Sequence, residues 1–224
     1  MNLISVKTKI VALYNIFFKK RFNSSIEYWE HRARQYGKRA VLNIGHSYDQ
    51  ISMVTQTQKE TIFPLLKKKL NGKEKTILDY GCGTGRFTYD LANIIGGAAV
   101  GVDPIQSLLD LAPKNENVEY KRIVNGVIPI NAESFDVVWV CLVLGGIISN
   151  KDLVDTTREI NRVLKNGGLL VLVENTTNIK DGEYWKFRSI DQYQQLFDFV
   201  DLSHEADYYD LDEKISILMG RKDV

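Results

Sequence analysis

The residues best suited to chemistry lie in one glycine-rich stretch. Asp79 follows a short apolar run at residues 76–78, and glycines then occupy alternate positions, Gly81, Gly83 and Gly85. The apolar run predicts a buried strand, and apolar residues at helical spacing after the glycines predict a helix. Glycines let the backbone approach a ligand closely, and a helix N-terminus presents free N–H groups. The spacing therefore predicts a cradle for a nucleotide-type ligand.

A second carboxylate supports a nucleoside ligand. Asp103 ends the apolar run at residues 98–102 and lies 18 residues after Gly85. A carboxylate at the carboxyl end of a second strand can accept hydrogen bonds from both ribose hydroxyls of a nucleoside. The alternative is that Asp103 only marks the start of the helix after Pro104. The carboxylate does not by itself distinguish NAD from other nucleosides.

The glycine spacing departs from two common phosphate-binding patterns. A dinucleotide fingerprint needs Gly-x-Gly-x-x-Gly, but the third glycine comes one residue early at Gly85, and Arg86 fills its place. A Walker loop needs a Lys-Ser/Thr pair after its last glycine, and this stretch has none. An NAD-dependent oxidoreductase stays open as an alternative that Arg86 disfavours.

Several spaced segments together resemble one enzyme family. The stretch Asp-Tyr-Gly-Cys-Gly-Thr-Gly at 79–85 resembles motif I of the class I S-adenosylmethionine-dependent methyltransferases. The segments 134–138, 142–144 and 158–168 resemble stretches of the small-molecule (type 11-like) branch. The match covers roughly residues 74–174. It implies methyl transfer with S-adenosyl-L-methionine as the cofactor. A non-catalytic methyltransferase-like partner subunit is a further alternative.

The alternation of strand and helix patterns predicts an α/β fold. The resemblance makes this a doubly wound, mostly parallel, seven-stranded Rossmann-like sheet whose last strand is antiparallel, with residues 215–220 as the candidate. We expect an N-terminal helical lid at residues 1–72 and a methyltransferase core at 73–224. Within the lid, a helix is expected over residues 49–70, interrupted or kinked near Pro64.

The resemblance also assigns a cofactor site. Residues 25–48 are similar to a lid segment, whose aromatic rings would contact the cofactor unless they are simply helix core. Val124 stands where the family often has an acid that meets the adenine, so Asn125 or the backbone would read this base. The implied cofactor-binding residues are Tyr28, Tyr36, Asp79, Gly81, Cys82, Gly83, Asp103, Pro104, Val124, Asn125 and Cys141.

A hydroxyl or amine acceptor must lose a proton, so a general base is expected. His46, in a polar turn before the glycine stretch, is the preferred candidate, with Tyr48 assisting. Gly145 and Gly146 replace the His-His pair that the family often carries after its fourth strand. This replacement removes a frequent base and opens space for the acceptor.

Two arginines suggest an anionic acceptor. Arg188 can hold a phosphate or carboxylate with a planar fork of donors, and Arg34 lies in the lid-like segment. We therefore expect methyl transfer to an oxygen or nitrogen of a small metabolite. This acceptor would be an amine, an alcohol or a sugar, and the anionic form of the hypothesis gives it a phosphate group. The alternative is that these cations are simply solvated.

Composition limits the partners. A net charge of +1 and the absence of basic-aromatic motifs argue against nucleic acid. Two cysteines, Cys82 and Cys141, form neither a disulfide framework nor a metal cluster, and we expect no metal. No apolar run reaches 18 residues, so we expect no integral membrane span, and the cytoplasm is the default location.

The charge is unevenly distributed. Residues 198–213 carry seven acids and no Lys or Arg. Residues 3–17 predict an amphipathic basic helix. This helix would pack on the domain, mediate a homodimer or contact an anionic membrane.

Overall fold

The computed structural model describes residues 22–223, so the predicted helix at residues 3–17 lies outside the described residues. The α-helices are α1 (Ser25–Tyr36), α2 (Ile51–Lys69), α3 (Thr88–Ile95), α4 (Gln106–Leu109), α5 (Asn150–Val163) and α6 (Ile190–Leu196). The strands are β1 (Thr76–Tyr80), β2 (Ala98–Asp103), β3 (Val118–Arg122), β4 (Phe135–Cys141), β5 (Leu164–Asn175), β6 (Ser203–Asp210) and β7 (Glu213–Arg221). Short 3₁₀ turns occupy Gly37–Val41, Tyr48–Gln50 and Leu144–Gly146.

The seven strands form one sheet in the order β3-β2-β1-β4-β5-β7-β6. Strands β1 to β5 pair in parallel, whereas β7 runs antiparallel to both β5 and β6. The strand order reverses between β1 and β4, and in open α/β sheets ligands bind at the carboxyl ends of the strands beside such a point. The predicted doubly wound sheet with an antiparallel last strand is therefore confirmed.

The central strands bury side chains on both faces because helices cover both. One hydrophobic cluster includes Leu78 and Val138, and the cluster on the other face includes Ile77 and Trp139. Continuous apolar runs are typical of such doubly covered parallel strands. This rigid core fixes the strand ends that carry the polar residues.

Helix α2 belongs to this core, because its Ile62 and Leu66 are fully buried in the Trp139 cluster. It continues through Pro64 as one helix, so the interruption expected as one possibility does not occur there. Burial of apolar side chains on both sides of the proline offsets the lost backbone hydrogen bond. The domain division at residue 72 stays a prediction, although α2 shares the core of the sheet.

Strand β6 has no counterpart among the strands expected from sequence. It pairs with β7, and Asp210 faces Glu213 at the turn between them. This hairpin brings two acids of the 198–213 segment to the carboxyl end of β5, because Asn175 of β5 is paired with Ile215 of β7. The acidic segment is thus part of the edge where the strands end.

Candidate functional site

The glycine stretch forms a tight loop between β1 and α3. Gly81, Gly83 and Gly85 have φ angles of +70°, +55° and +69°, a region that residues with a Cβ rarely adopt. The backbone N–H of Gly81 donates to the carbonyl of Val102 at 2.8 Å. An added Cβ at Gly81 would collide with Val143. The loop therefore presents bare backbone at the end of β1.

Asp103 ties this loop to the end of β2. Its Oδ2 accepts from the N–H of Gly83 at 2.9 Å, and its Oδ1 accepts from the N–H of Ile105 at 2.8 Å. The side chain is 6% exposed, and burial raises the pKa of its carboxyl to about 6. The carboxylate is thus held in place by the backbone while it borders the cavity described below.

Asp79 supports the loop from beneath. It is 3% exposed and accepts a 2.6 Å hydrogen bond from Oγ1 of Thr88, the first residue of α3. Burial raises the pKa of the Asp79 carboxyl to about 7, partly opposed by the Thr88 hydrogen bond and by the charge of Arg86. The residue therefore joins β1 to the start of α3.

A cavity of about 1360 Å³ opens over the carboxyl ends of β1, β2 and β4. Most of the predicted cofactor residues border it: Tyr28, Asp79, Gly81, Cys82, Gly83, Asp103, Pro104, Val124, Asn125 and Cys141. Tyr36 does not, because its ring lies under the guanidinium groups of Arg32 and Arg39. The role of Tyr36 in cofactor binding stays a prediction without geometric support.

Aromatic side chains from two distant segments form one wall of this cavity. Tyr28 stacks on Tyr184 with ring centroids 4.2 Å apart, and Trp29 meets Trp185 edge-on at 6.4 Å. Phe22 packs against both tyrosines. We call these five residues the aromatic wall.

Glycines after β4 make room for the aromatic wall. A Cβ at Gly145 would overlap the indole of Trp185, and a Cβ at Gly146 would come 2.9 Å from Nε1 of Trp29. The indole rings therefore occupy the positions where the side chains of a His-His pair would begin, rather than leaving them open.

His46, the predicted general base, and Tyr48, its predicted assistant, lie away from the cavity surface. The His46 ring is buried, and its Nε2 lies 2.5 Å from Oδ1 of Asp210. Tyr48 is 63% exposed. Asp210 borders the cavity, but neither His46 nor Tyr48 does. Their catalytic roles stay predictions, and His46 contacts Asp210 and Asn43, which both border the cavity.

The two predicted anion-binding arginines are also placed elsewhere. Arg188 is 9% exposed and donates to the carbonyls of Leu144 and Ile147 at 2.8 and 2.9 Å. Arg34 is largely exposed on α1 and pairs with Glu30. Neither borders the cavity. Their role in substrate binding stays a prediction, and the placement of Arg188 favours support of the turn after β4.

The polar floor of the cavity was not found by sequence reasoning. It consists of Asn43, Arg86, Asn175, Asp210 and Glu213, which all border the cavity. The only sequence signal was the acidic run at 198–213, which carries no periodicity.

The site fits an S-adenosylmethionine-type cofactor. Glycine backbone with no room for a Cβ borders the cavity at the end of β1, and a backbone-held carboxylate borders it at the end of β2. Such a pair suits a ligand with a compact polar tail and a ribose. In residues 22–223, no group of three or more His, Cys, Asp or Glu side chains is arranged to hold a metal ion.

The sheet order and this site resemble those of the class I S-adenosylmethionine-dependent methyltransferases. Residues 78–172 match the family model described as a methyltransferase domain. The resemblance inferred from the motifs, and the cofactor it implies, are thereby confirmed.

Two curated relatives are demethylmenaquinone methyltransferases. The protein from Lactococcus lactis is 28% identical over 144 residues, which cover 60% of this chain and 56% of that protein. The protein from Staphylococcus aureus is 29% identical over 146 residues, or 62% of this chain and 59% of that protein. The match thus spans little more than half the length of these relatives. Both relatives favour methyl transfer over the oxidoreductase alternative.

Solved structures share the fold at low identity. The PH0226 protein of Pyrococcus horikoshii aligns with a TM-score of 0.64 and 18% identity, covering 86% of this chain and 98% of that one. An S-adenosylmethionine-dependent methyltransferase of Aquifex aeolicus gives 0.59 and 15%, covering 78% and 98%. The [4+2]-cyclase SpnF gives 0.65 and 16%, covering 90% and 97%. The cyclase shows that this fold alone does not determine the reaction.

None of the helices in residues 22–223 is long and apolar enough to cross a membrane.

Proposed function

We propose that this protein transfers a methyl group from S-adenosylmethionine to a small hydroxylated aromatic acceptor. The observation that carries the proposal is the aromatic wall, which borders the same cavity as the glycine loop and Asp103. A cofactor and a flat acceptor would then share one enclosure.

The bound cofactor would supply a methyl group activated by a positively charged sulfur. Asp103 would accept hydrogen bonds from ribose hydroxyls, since its carboxylate borders the cavity at the end of β2. Gly81 and Gly83 would let the ligand lie against the backbone. The aromatic wall would exclude water, and holding the acceptor in line with the methyl can provide several kcal/mol of the barrier reduction.

The wall favours a flat aromatic acceptor over a phosphorylated one. Aromatic rings bury large apolar areas and stack on other rings. Arg188, the cation proposed for a phosphate, is buried outside the cavity lining and donates to two carbonyls. The two relatives are named for a demethylated quinone, which agrees with a ring acceptor. The methyl would go to a ring carbon or a hydroxyl oxygen.

The test compares acceptor classes. The full-length protein is incubated with S-adenosylmethionine and either 1,4-naphthohydroquinone, kept reduced without oxygen, or O-phosphoethanolamine, and S-adenosylhomocysteine formation is followed. We expect a higher kcat/KM for the hydroquinone. A preference for the phosphorylated amine would overturn the choice of acceptor. Binding of S-adenosylhomocysteine without turnover of any acceptor would favour the non-catalytic alternative.

A further inference from the structure

Glu213 presents a fixed carboxylate to the floor of the cavity. It is the first residue of β7, and its Oε2 accepts from Nδ2 of Asn175 at 2.7 Å and from Nδ2 of Asn43 at 3.0 Å. None of the described residues donates a hydrogen bond to its Oε1. Two amides therefore hold one oxygen and leave the other available to a ligand.

The sheet order places the Glu213 carboxylate across the strand ends from Asp103, the carboxylate assigned to the cofactor ribose. Glu213 is anchored to Asn175 at the end of β5, and Asp103 ends β2. Between β2 and β5 lie β1 and β4, and adjacent strands are about 4.8 Å apart. The end of β4, with Cys141 and Leu142 on the cavity surface, lies between the two acids. An acceptor that reaches Glu213 would therefore lie across the end of β4.

Charges of both signs lie near Glu213. Burial raises the pKa of the Glu213 carboxyl, and the charge of Asp210, directly opposite on β6, raises it further, although Asp210 also contacts His46. Arg86 also borders the floor, where its Nη1 donates to Thr55 and Gln58. The guanidinium charge disfavours a second cation nearby, whereas an uncharged hydroxyl meets no such repulsion.

We propose that Oε1 of Glu213 accepts a hydrogen bond from a hydroxyl group of the acceptor and so selects hydroxylated aromatic compounds over their ethers. The assignment rests on the proposed function, because it takes the aromatic wall to hold the acceptor ring. Asn43 and Asn175 orient the carboxylate.

The experiment measures binding of two matched probes to the full chain saturated with S-adenosylhomocysteine. 1-Naphthol has a hydroxyl, and 1-methoxynaphthalene has the same ring without a donor. Wild-type protein should bind 1-naphthol about tenfold to a hundredfold more tightly, as expected for a hydrogen bond to a charged group.

Glu213→Gln should remove this preference. The side-chain oxygen of the glutamine would still accept hydrogen bonds from the two asparagines. The amide NH₂ of the same side chain would then face the cavity as a donor. Glu205→Gln is the matched control, because Glu205 lies on β6, pairs with Lys69 and does not border the cavity. This control should keep the wild-type preference, and its loss there as well would overturn the assignment.

The other outcomes separate the two proposals. Equal binding of both probes by the wild type, or an unchanged preference in Glu213→Gln, would overturn the role of Glu213 while leaving the aromatic acceptor intact. Failure of the wild type to bind either probe would overturn the aromatic acceptor, and the role of Glu213 with it. Tighter binding of the cationic 1-naphthylmethylamine than of 1-naphthol would overturn the choice of a neutral donor.

Discussion

At the scale of single residues, Asp103 has two tasks. It closes the glycine loop through the N–H of Gly83, and it borders the cavity as a carboxylate. Because burial raises the pKa of its carboxyl to about 6, the charge is maintained at pH 7 but is lost in mild acid. Ligand binding should therefore depend on both the residue and the pH.

Asp103→Ala should raise the dissociation constant for S-adenosylhomocysteine at least about tenfold, since hydrogen bonds to a charged group are lost. Isothermal titration calorimetry measures this change. Asp110→Ala is the control, because Asp110 is exposed just after α4 and, among the described residues, its side chain pairs only with Gln106 of that helix. Unchanged affinity for S-adenosylhomocysteine in a folded Asp103→Ala protein would remove this residue from the site.

In the wild type, the affinity for S-adenosylhomocysteine should fall as the pH drops from 7 to 5, because the Asp103 carboxylate becomes protonated.

Gly81→Ala should lower the free energy of unfolding by about 2–4 kcal/mol. The change combines a positive φ angle, which costs about 1–2 kcal/mol, with overlap against Val143. Gly126→Ala separates the two causes, because Gly126 has a φ of +77° but no atom within 4 Å of an added Cβ. Urea denaturation should show a smaller loss for Gly126→Ala. Equal losses would mean that the close approach at Gly81 does not matter.

At the scale of elements, the aromatic wall joins α1 to the segment between β5 and α6. Trp185 belongs to the second segment, and the N–H of Lys186 donates to the carbonyl of Gly145 at 2.8 Å. The wall therefore depends on the turn after β4, which also carries Gly146 beside Trp29.

Trp185→Ala should weaken binding of 1-naphthol about fivefold to tenfold, the range expected for a lost aromatic contact. Binding of S-adenosylhomocysteine should change less than about twofold, because the glycine loop and Asp103 are untouched. Tyr209→Ala is the control, since this tyrosine is 71% exposed on β6 and does not border the cavity. Fluorescence titration measures both ligands. If the two variants bind 1-naphthol equally well, the wall does not hold the acceptor.

The sequence predicted the elements whose signals are local. Strands β1, β2 and β4 are short apolar runs, and the turn after β1 is marked by its glycines, so their types and order were identified. Strand β6 was missed because Ser203–Asp210 is half exposed and rich in acids, with no apolar alternation. It exists because it pairs with β7.

Long-range contacts explain the remaining differences at the site. The partners of Glu213 lie 170 and 38 residues away in sequence, so no local pattern could identify its carboxylate as a fixed acceptor. The same holds for Arg188, whose guanidinium is bound by carbonyls more than 40 residues away. The sequence identifies Arg188 as a positive charge, but it does not indicate which groups that charge contacts.

At the scale of the whole molecule, buried carboxylates make stability depend on pH. Glu174 is fully buried at the end of β5, and its Oε1 accepts from the N–H groups of Val143 and Leu144, both at 2.8 Å. Burial raises the pKa of this carboxyl from 4.5 to about 7. The folded state therefore favours the protonated form. The contribution of the protonated Glu174 carboxyl to the free energy of unfolding is complete below about pH 4.5. This contribution is lost as the pH rises through about 7.

Glu174→Gln should remove this dependence. The stability of the variant relative to the wild type should increase by roughly 3 kcal/mol between pH 4.5 and pH 8, the equivalent of the raised pKa. Urea denaturation at several pH values measures the difference. Glu116→Gln, at an exposed position, should show no such increase. A constant difference between Glu174→Gln and the wild type would contradict the account of this residue.

The central claim is methyl transfer to a hydroxylated aromatic ring. The most direct test follows a deuterated methyl group from S-adenosylmethionine into 1,4-naphthohydroquinone by mass spectrometry, with wild-type protein and with Asp103→Ala at subsaturating cofactor. We predict a labelled aromatic product with the wild type and a rate at least about tenfold lower with the variant. A protein that binds the cofactor yet leaves the label on it with every hydroxylated aromatic compound tested would contradict the account.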